Sequence, residues 1–168
     1  KVTIQDAIIE NSNFQKANLI SSIFGGILGF SYSMIIRIEL SNSGNIFLSS
    51  GEHYNTCITL HGLIMIFFFV MRFLISGIGN YFIRIMLGQI DMCFRRLNNI
   101  SFWLWLFSLW LLLTSGVIDY CANGGWTLYV RLSTLDYSSS TSVDVLIFSL
   151  LMAGISSLLG SINFITTI

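Results

Sequence analysis

A few polar residues sit where the surrounding sequence suits lipid rather than water, and their types could do chemistry. His61 lies inside TLHGLIMIFFFVMRF, residues 59–73. A neutral imidazole in such a run needs a partner: a neighbouring helix can take a hydrogen bond, or a ring nitrogen can ligate a metal ion. Cys57, Ile58, Ile64 and Met65 share its helical face. Position alone leaves both readings open, since one histidine is no metal motif. Arg37 closes the first apolar run beside Glu39 in IIRIEL, where a snorkelling interfacial cation is the simplest reading. His53 reads as a solvent-facing loop residue. Asp91 sits in GQIDMCFRRLNN close to Arg95 and Arg96. It is either a loop carboxylate paired with those arginines or a proton entrance feeding a line of Asn80, Asn98, Ser156 and Ser157. Such amides and hydroxyls can hold water in a chain or bond helix to helix.

The elements that position these groups follow from composition. Of 168 residues, 54% are hydrophobic and 10% charged, against about 25% charged in soluble domains. That identifies an integral membrane protein. A helix needs about 20 mostly apolar residues to cross the hydrocarbon core, and four stretches qualify: about 19–36, 57–86, 102–118 and 143–168. None alternates with period two, which excludes a barrel. The expectation is an all-α, multi-pass membrane protein, a single membrane domain over 1–168, with polar loops at 37–56, 87–100 and 119–142. Lys1, Lys16, Arg84, Arg95 and Arg96 fall on one side of that arrangement, and Arg37 and Arg131 on the other. Excess positive charge marks the inner side, so both termini are expected there. Gly25 and Gly29 form a GxxxG spacing, and Gly154, Ser156, Ser157 and Gly160 make the fourth helix lean on one side, so close helix packing is expected in both places.

The formal net charge is zero, which speaks against a nucleic-acid partner. Cys57, Cys93 and Cys121 lie too far apart for a zinc site or a disulfide framework. Residues 1–17 are mixed and polar and carry no basic, serine-rich leader, so the chain reads as starting without a cleavable address. Proline is absent, although an average of about 5% would give roughly eight.

Taken in order, IIRIEL, TLHGLIMIFFFVM, GIGN, DMCFRRLNNISFWL, GGWTLY and SVDVLIFSLLMAGISSLLGSINFITTI resemble the N-terminal third of subunit 1 of the mitochondrial cytochrome c oxidases, in the heme-copper oxidase family. The resemblance covers residues 25–168. It implies a twelve-helix bundle around a low-spin heme a and a binuclear center of heme a3 and copper. Such an enzyme oxidises cytochrome c, reduces dioxygen to water and pumps protons. By the same resemblance His61 is an axial ligand of the heme a iron, Arg37 lies against the heme formyl group, and Tyr54, Trp126 and Tyr129 surround the heme or its propionates. Glu39 and Gly44 match a calcium or sodium site. Asp91 matches the mouth of the D proton pathway, and Asn80, Asn98, Ser156, Ser157 and Asn163 match residues along it. Location in the mitochondrial inner membrane, with both termini at the matrix, follows as well.

The chain departs from that family in three respects. It stops at NFITTI, ahead of the second heme a ligand, the copper histidines, the heme a3 ligand, the cross-linked tyrosine and a pathway glutamate. It therefore holds no catalytic center of its own; either the chain is cut short here or, as is expected, it is one piece of a split subunit, with a second chain supplying the remaining helices. Partners implied are that chain, other oxidase subunits including the copper-bearing subunit 2, cytochrome c and the lipid bilayer. Second, Arg72, Arg84, Arg95 and Arg131 stand where the family has proline, and LPPS reads WLFS at 105–108. A ring with fixed φ has become a long cation; either the replacement is genuine, with Arg72 and Arg84 reaching lipid phosphates, propionates or other subunits, or an unusual code or RNA editing makes the residues differ from this sequence. Third, Leu151 replaces a frequent histidine. The competing readings are a quinol oxidase fragment, a structural membrane subunit descended from an oxidase without redox role, and a small channel, which would need polar rows in several helices.

Overall fold

Lipid offers no hydrogen bonds, so each apolar run closes its backbone on itself, and the regular structure among the described residues is all helical. The computed structural model describes residues 4–41, 48, 50–88, 92–118, 122–138 and 140–168, with side chains from residue 16 onward. Its helices are α1 (Ile4–Glu39), α2 (Gly51–Leu87), α3 (Arg95–Ser115) and α4 (Ser142–Thr167). Each contains a stretch long and apolar enough to cross a membrane, that of α1 being Lys16–Glu39.

The helices outrun the apolar stretches that announce them. The polar start is helical from Ile4. Ser50 caps α2, its hydroxyl accepting the His53 amide at 3.4 Å, so the second helix begins at Gly51 rather than near 57. The third begins at Arg95 rather than near 102 and ends at Ser115, short of 118. Hydropathy marks where lipid begins, whereas a helix continues until a cap or a left-handed residue stops it. Gly88, at φ 64°, is such a stop for α2.

Within α2 the winding changes. Ile64–Val70 and Arg72–Gly79 are π-helical, and the Met71 amide bonds the Ile66 carbonyl five residues back. The consequence shows in burial: Leu60, Ile64, Phe68, Arg72, Ser76 and Asn80, four residues apart, are all buried. In a regular α-helix a spacing of four drifts by about 40° per step, so the last of these would point away from the first. Wider π turns undo that drift, and the stripe keeps facing α3 and α4. Phe68 lies 6.0 Å from the Trp105 ring, and the core gathers there around Leu60, Ile64, Leu112 and Leu146.

Helices α3 and α4 pack as an antiparallel pair along serines spaced seven apart. Ser101 faces Ser156, and Ser108 faces Ser149. In each pair each hydroxyl donates to the opposite backbone carbonyl, at 2.8 and 2.6 Å for the first and 2.6 and 2.8 Å for the second. Ser115 and Ser142 continue the series and are fully buried. Small side chains admit close approach, and hydroxyls bond across it. The GxxxG face of α1 does the same against α2: a Cβ on Gly25 would come 3.3 Å from the Phe68 carbonyl, and one on Gly29 2.6 Å from Met65 Sδ. The expected small face of α4 is only partly used, since Ser156 is buried whereas Gly154 meets nothing within 4 Å. The outer faces stay apolar, with Phe24, Phe30, Trp103 and Leu158 exposed. Leu151 is on that outer face.

Candidate functional site

His61 is half-buried on α2, and its Nδ1 lies 2.8 Å from the Gly29 carbonyl of α1. A carbonyl only accepts, so Nδ1 carries the proton, and in the neutral ring Nε2 keeps the lone pair. The helices come this close because Gly29 has no side chain; its missing Cβ would fall on Met65 and 3.3 Å from Ile64 Cγ2. Nε2 makes no hydrogen bond among the described residues. An imidazole oriented through one nitrogen and open at the other is the arrangement of a metal ligand.

The loop before α4 holds α2 from the other side. The Gly125 amide donates to Thr59 Oγ1 at 3.1 Å, and a Cβ on Gly62 would come 3.2 Å from Trp126 Cβ. The turn needs left-handed backbone at Gly125, φ 77°, and imposes it on Leu128, φ 50°. That is unfavourable for a leucine, and Leu128 is held by packing against the core. Trp126 and Tyr129 present exposed rings next to this turn, and Tyr54 is half-buried one turn into α2. Arg37 is exposed in the last turn of α1, with no contact drawing it to His61. Glu39 accepts the Leu48 amide at 3.3 Å. Gly44 lies outside the described residues, and among those described no three His, Cys, Asp or Glu side chains gather for a metal.

A cavity of about 180 Å³ opens between α2, α3 and α4, and Asn80, Asn98, Ser156 and Ser157 line it together. Four polar residues scattered over the sequence thus share one space whose walls are otherwise largely apolar, among them Phe67, Ile75, Trp105 and Leu150. Asn163 is buried but not on that lining. Its amide clamps Phe94, Oδ1 accepting the N–H at 3.0 Å and Nδ2 donating to the carbonyl at 3.2 Å. Thr167 Oγ1 accepts the Cys93 amide at 3.2 Å. The segment following residue 91 is thereby tied to the end of α4, while Asp91 itself lies outside the described residues.

Arg72 departs from expectation. Rather than reaching outward to phosphates or propionates it is 7% exposed and lines the same cavity. Nη2 donates to Asn18 Oδ1 at 2.8 Å and Nη1 to Ser156 Oγ at 3.4 Å. The guanidinium carbon lies 5.2 Å from the Trp105 ring and 5.8 Å from that of Phe102. The four-residue stripe through Phe68, Ser76 and Asn80 was the available signal; reading it needed the π turns.

Four lipid-length helices, with a histidine and a few amides and hydroxyls facing inward, define a polytopic all-α membrane protein. The chain belongs to the cytochrome c and quinol oxidase polypeptide I family, whose model matches residues 14–168. It is similar to cytochrome c oxidase subunit 1 of Yarrowia lipolytica, 50% identical over 149 residues that cover 88% of this chain and 28% of the relative. The corresponding protein of Mytilus edulis is 46% identical over 149 residues, 89% and 27% of the two chains. That of Eremothecium gossypii is 48% identical over 149 residues, 88% and 28%. The chain thus spans little more than a quarter of the length of these relatives.

Proposed function

We propose that these residues form the N-terminal part of the catalytic subunit of cytochrome c oxidase, a single membrane domain within its larger helical bundle. The whole enzyme transfers electrons from cytochrome c to dioxygen and pumps protons across the mitochondrial inner membrane, with both termini of this piece at the matrix. Heme a3 and copper would be held by parts of the subunit that these residues do not include, so these residues by themselves would not reduce dioxygen.

The single observation that carries the reading is the His61 hydrogen bond to Gly29. It leaves Nε2 with no hydrogen bond among the described residues, so His61 would hold a heme iron through that nitrogen. A low-spin heme a bound there supplies a one-electron carrier. This chain's part is to hold the imidazole: α1 fixes its ring through Gly29, and the Trp126 turn braces α2 through Thr59 and Gly62. Arg37 would face the heme edge and Tyr54, Trp126 and Tyr129 its propionates, a cation there offsetting buried negative charge. Glu39 and Gly44 would take a calcium or sodium ion by their oxygens.

Proton uptake would begin at Asp91 and run through water held by Asn80, Asn98, Ser156 and Ser157, which share one cavity. Asn163 would serve this route by clamping the strand of chain that follows Asp91.

Optical spectra of the purified complex with and without His61→Ala test the proposal. Loss of the low-spin heme a band is expected, and an unchanged spectrum refutes the ligand role, leaving a structural subunit without redox work. Since the family unites cytochrome c and quinol oxidases, a quinol donor is the second reading, separated by assaying both donors.

A further inference from the structure

Arg72 brings a full positive charge into the wall of the cavity between α2, α3 and α4, and among the described residues that line it none is acidic. Its hydrogen bonds go to neutral oxygens, Asn18 Oδ1 and Ser156 Oγ, and its faces to the rings of Trp105 and Phe102. Its Nε is buried with no partner among the described residues, and so is the indole Nε1 of Trp105 on the same wall. A guanidinium does not give up its proton in a protein. A buried ion without a counter-charge is strongly disfavoured, and ring faces and neutral acceptors offset only part of that. The cavity, about 180 Å³, is several times the ~30 Å³ that one water occupies in the liquid. It has room for a small ion and its remaining hydration.

We propose that this cavity is an anion site, in which Arg72 holds one small monovalent anion, a halide or a carboxylate. Ser156 accepts from the guanidinium, and the Asn98 amide lines the same space; the hydroxyls of Ser101 and Ser157 there already donate to backbone carbonyls, so Arg72 is the group that would hold the ion. The anion is either exchangeable from solution or the carboxylate of a neighbouring helix of the assembled enzyme. The inference does not depend on the heme reading, because none of these groups touches His61; it bears on the proposed water route, which shares this cavity and would have to pass the bound anion.

The test is a high-resolution crystal structure of the intact oxidase complex grown with bromide. An anomalous bromide peak within about 4 Å of the Arg72 guanidinium is the expected result for the exchangeable source. A carboxylate oxygen of another segment at that distance is the expected result for the fixed one. For an exchangeable ion, Arg72→Lys retains the bromide peak and Arg72→Met lowers its occupancy by roughly tenfold or more, with the low-spin heme band as the check on assembly. If Arg72→Met does not assemble, the wild-type map decides alone. Water only around the guanidinium overturns the proposal, as does peptide sequencing that reads proline at position 72.

Discussion

The Ser108 and Ser149 pair offers a quantitative test of what holds α3 to α4. Both side chains are fully buried, and the two bonds run in opposite directions, 2.6 Å from Ser108 Oγ to the Ser149 carbonyl and 2.8 Å from Ser149 Oγ to the Ser108 carbonyl. Replacing either serine by alanine removes one donor and strands none, because each carbonyl keeps the bond of its own helix. Interhelical hydrogen bonds in membranes average about 0.6 kcal/mol and reach about 1.7. Each single variant should therefore destabilise by about 0.6–1.7 kcal/mol, and the double by about 1.2–3.4 if the bonds are independent. The hydroxyl oxygens are also 3.3 Å apart, so a small coupling, below about 0.5 kcal/mol, is expected from that contact. The neighbouring Ser101–Ser156 pair would be a poorer choice, since Ser156 also receives Arg72. The assay is unfolding of the purified complex by a denaturing detergent, followed by helicity and heme absorbance, for wild type, both singles and the double. Ser108→Leu serves as the control for packing, since a leucine in that closed seam must separate the helices. A double variant as stable as wild type, within about 0.3 kcal/mol, would refute the view that these hydroxyls bind the pair, and assign the seam to close packing alone.

Two further outcomes are expected. Asn163→Ala leaves the Phe94 N–H and carbonyl without their clamp, at a cost of about 1–3 kcal/mol; hydrogen exchange at the Phe94 amide should speed up markedly, and unchanged protection would show that the clamp is dispensable. Asp91→Asn should slow proton uptake and pumping in the reconstituted complex while leaving the heme bands in place, and normal pumping would remove Asp91 from the route.

Much of the site was legible residue by residue. His61 announced itself because an imidazole in a lipid-length run is conspicuous, and Gly25 and Gly29 announced the contact face that its hydrogen bond requires. Asn80, Asn98, Ser156 and Ser157 were nameable as polar groups in apolar surroundings, and they do meet around one cavity. Asn163 carried the same signal and has a different place, because a buried amide bonds whichever backbone the fold brings to it. Arg72 was read as reaching outward, since a cation in a span ordinarily seeks the interface. Only the π-helical winding of α2 turns it inward.

By itself the sequence determined the number of lipid-length helices, their all-α character and the chemical types available inside them. Those properties are local: a segment in lipid must satisfy its own backbone, so length and hydropathy suffice. Which faces meet was decided by tertiary structure. The antiparallel register of Ser101 with Ser156 and Ser108 with Ser149, the reach of His61 to Gly29, and the inward Arg72 all join residues from 32 to 84 positions apart. Such pairings depend on how helices slide and rotate against each other, and no single segment encodes that, because the complementary surface lies on another helix.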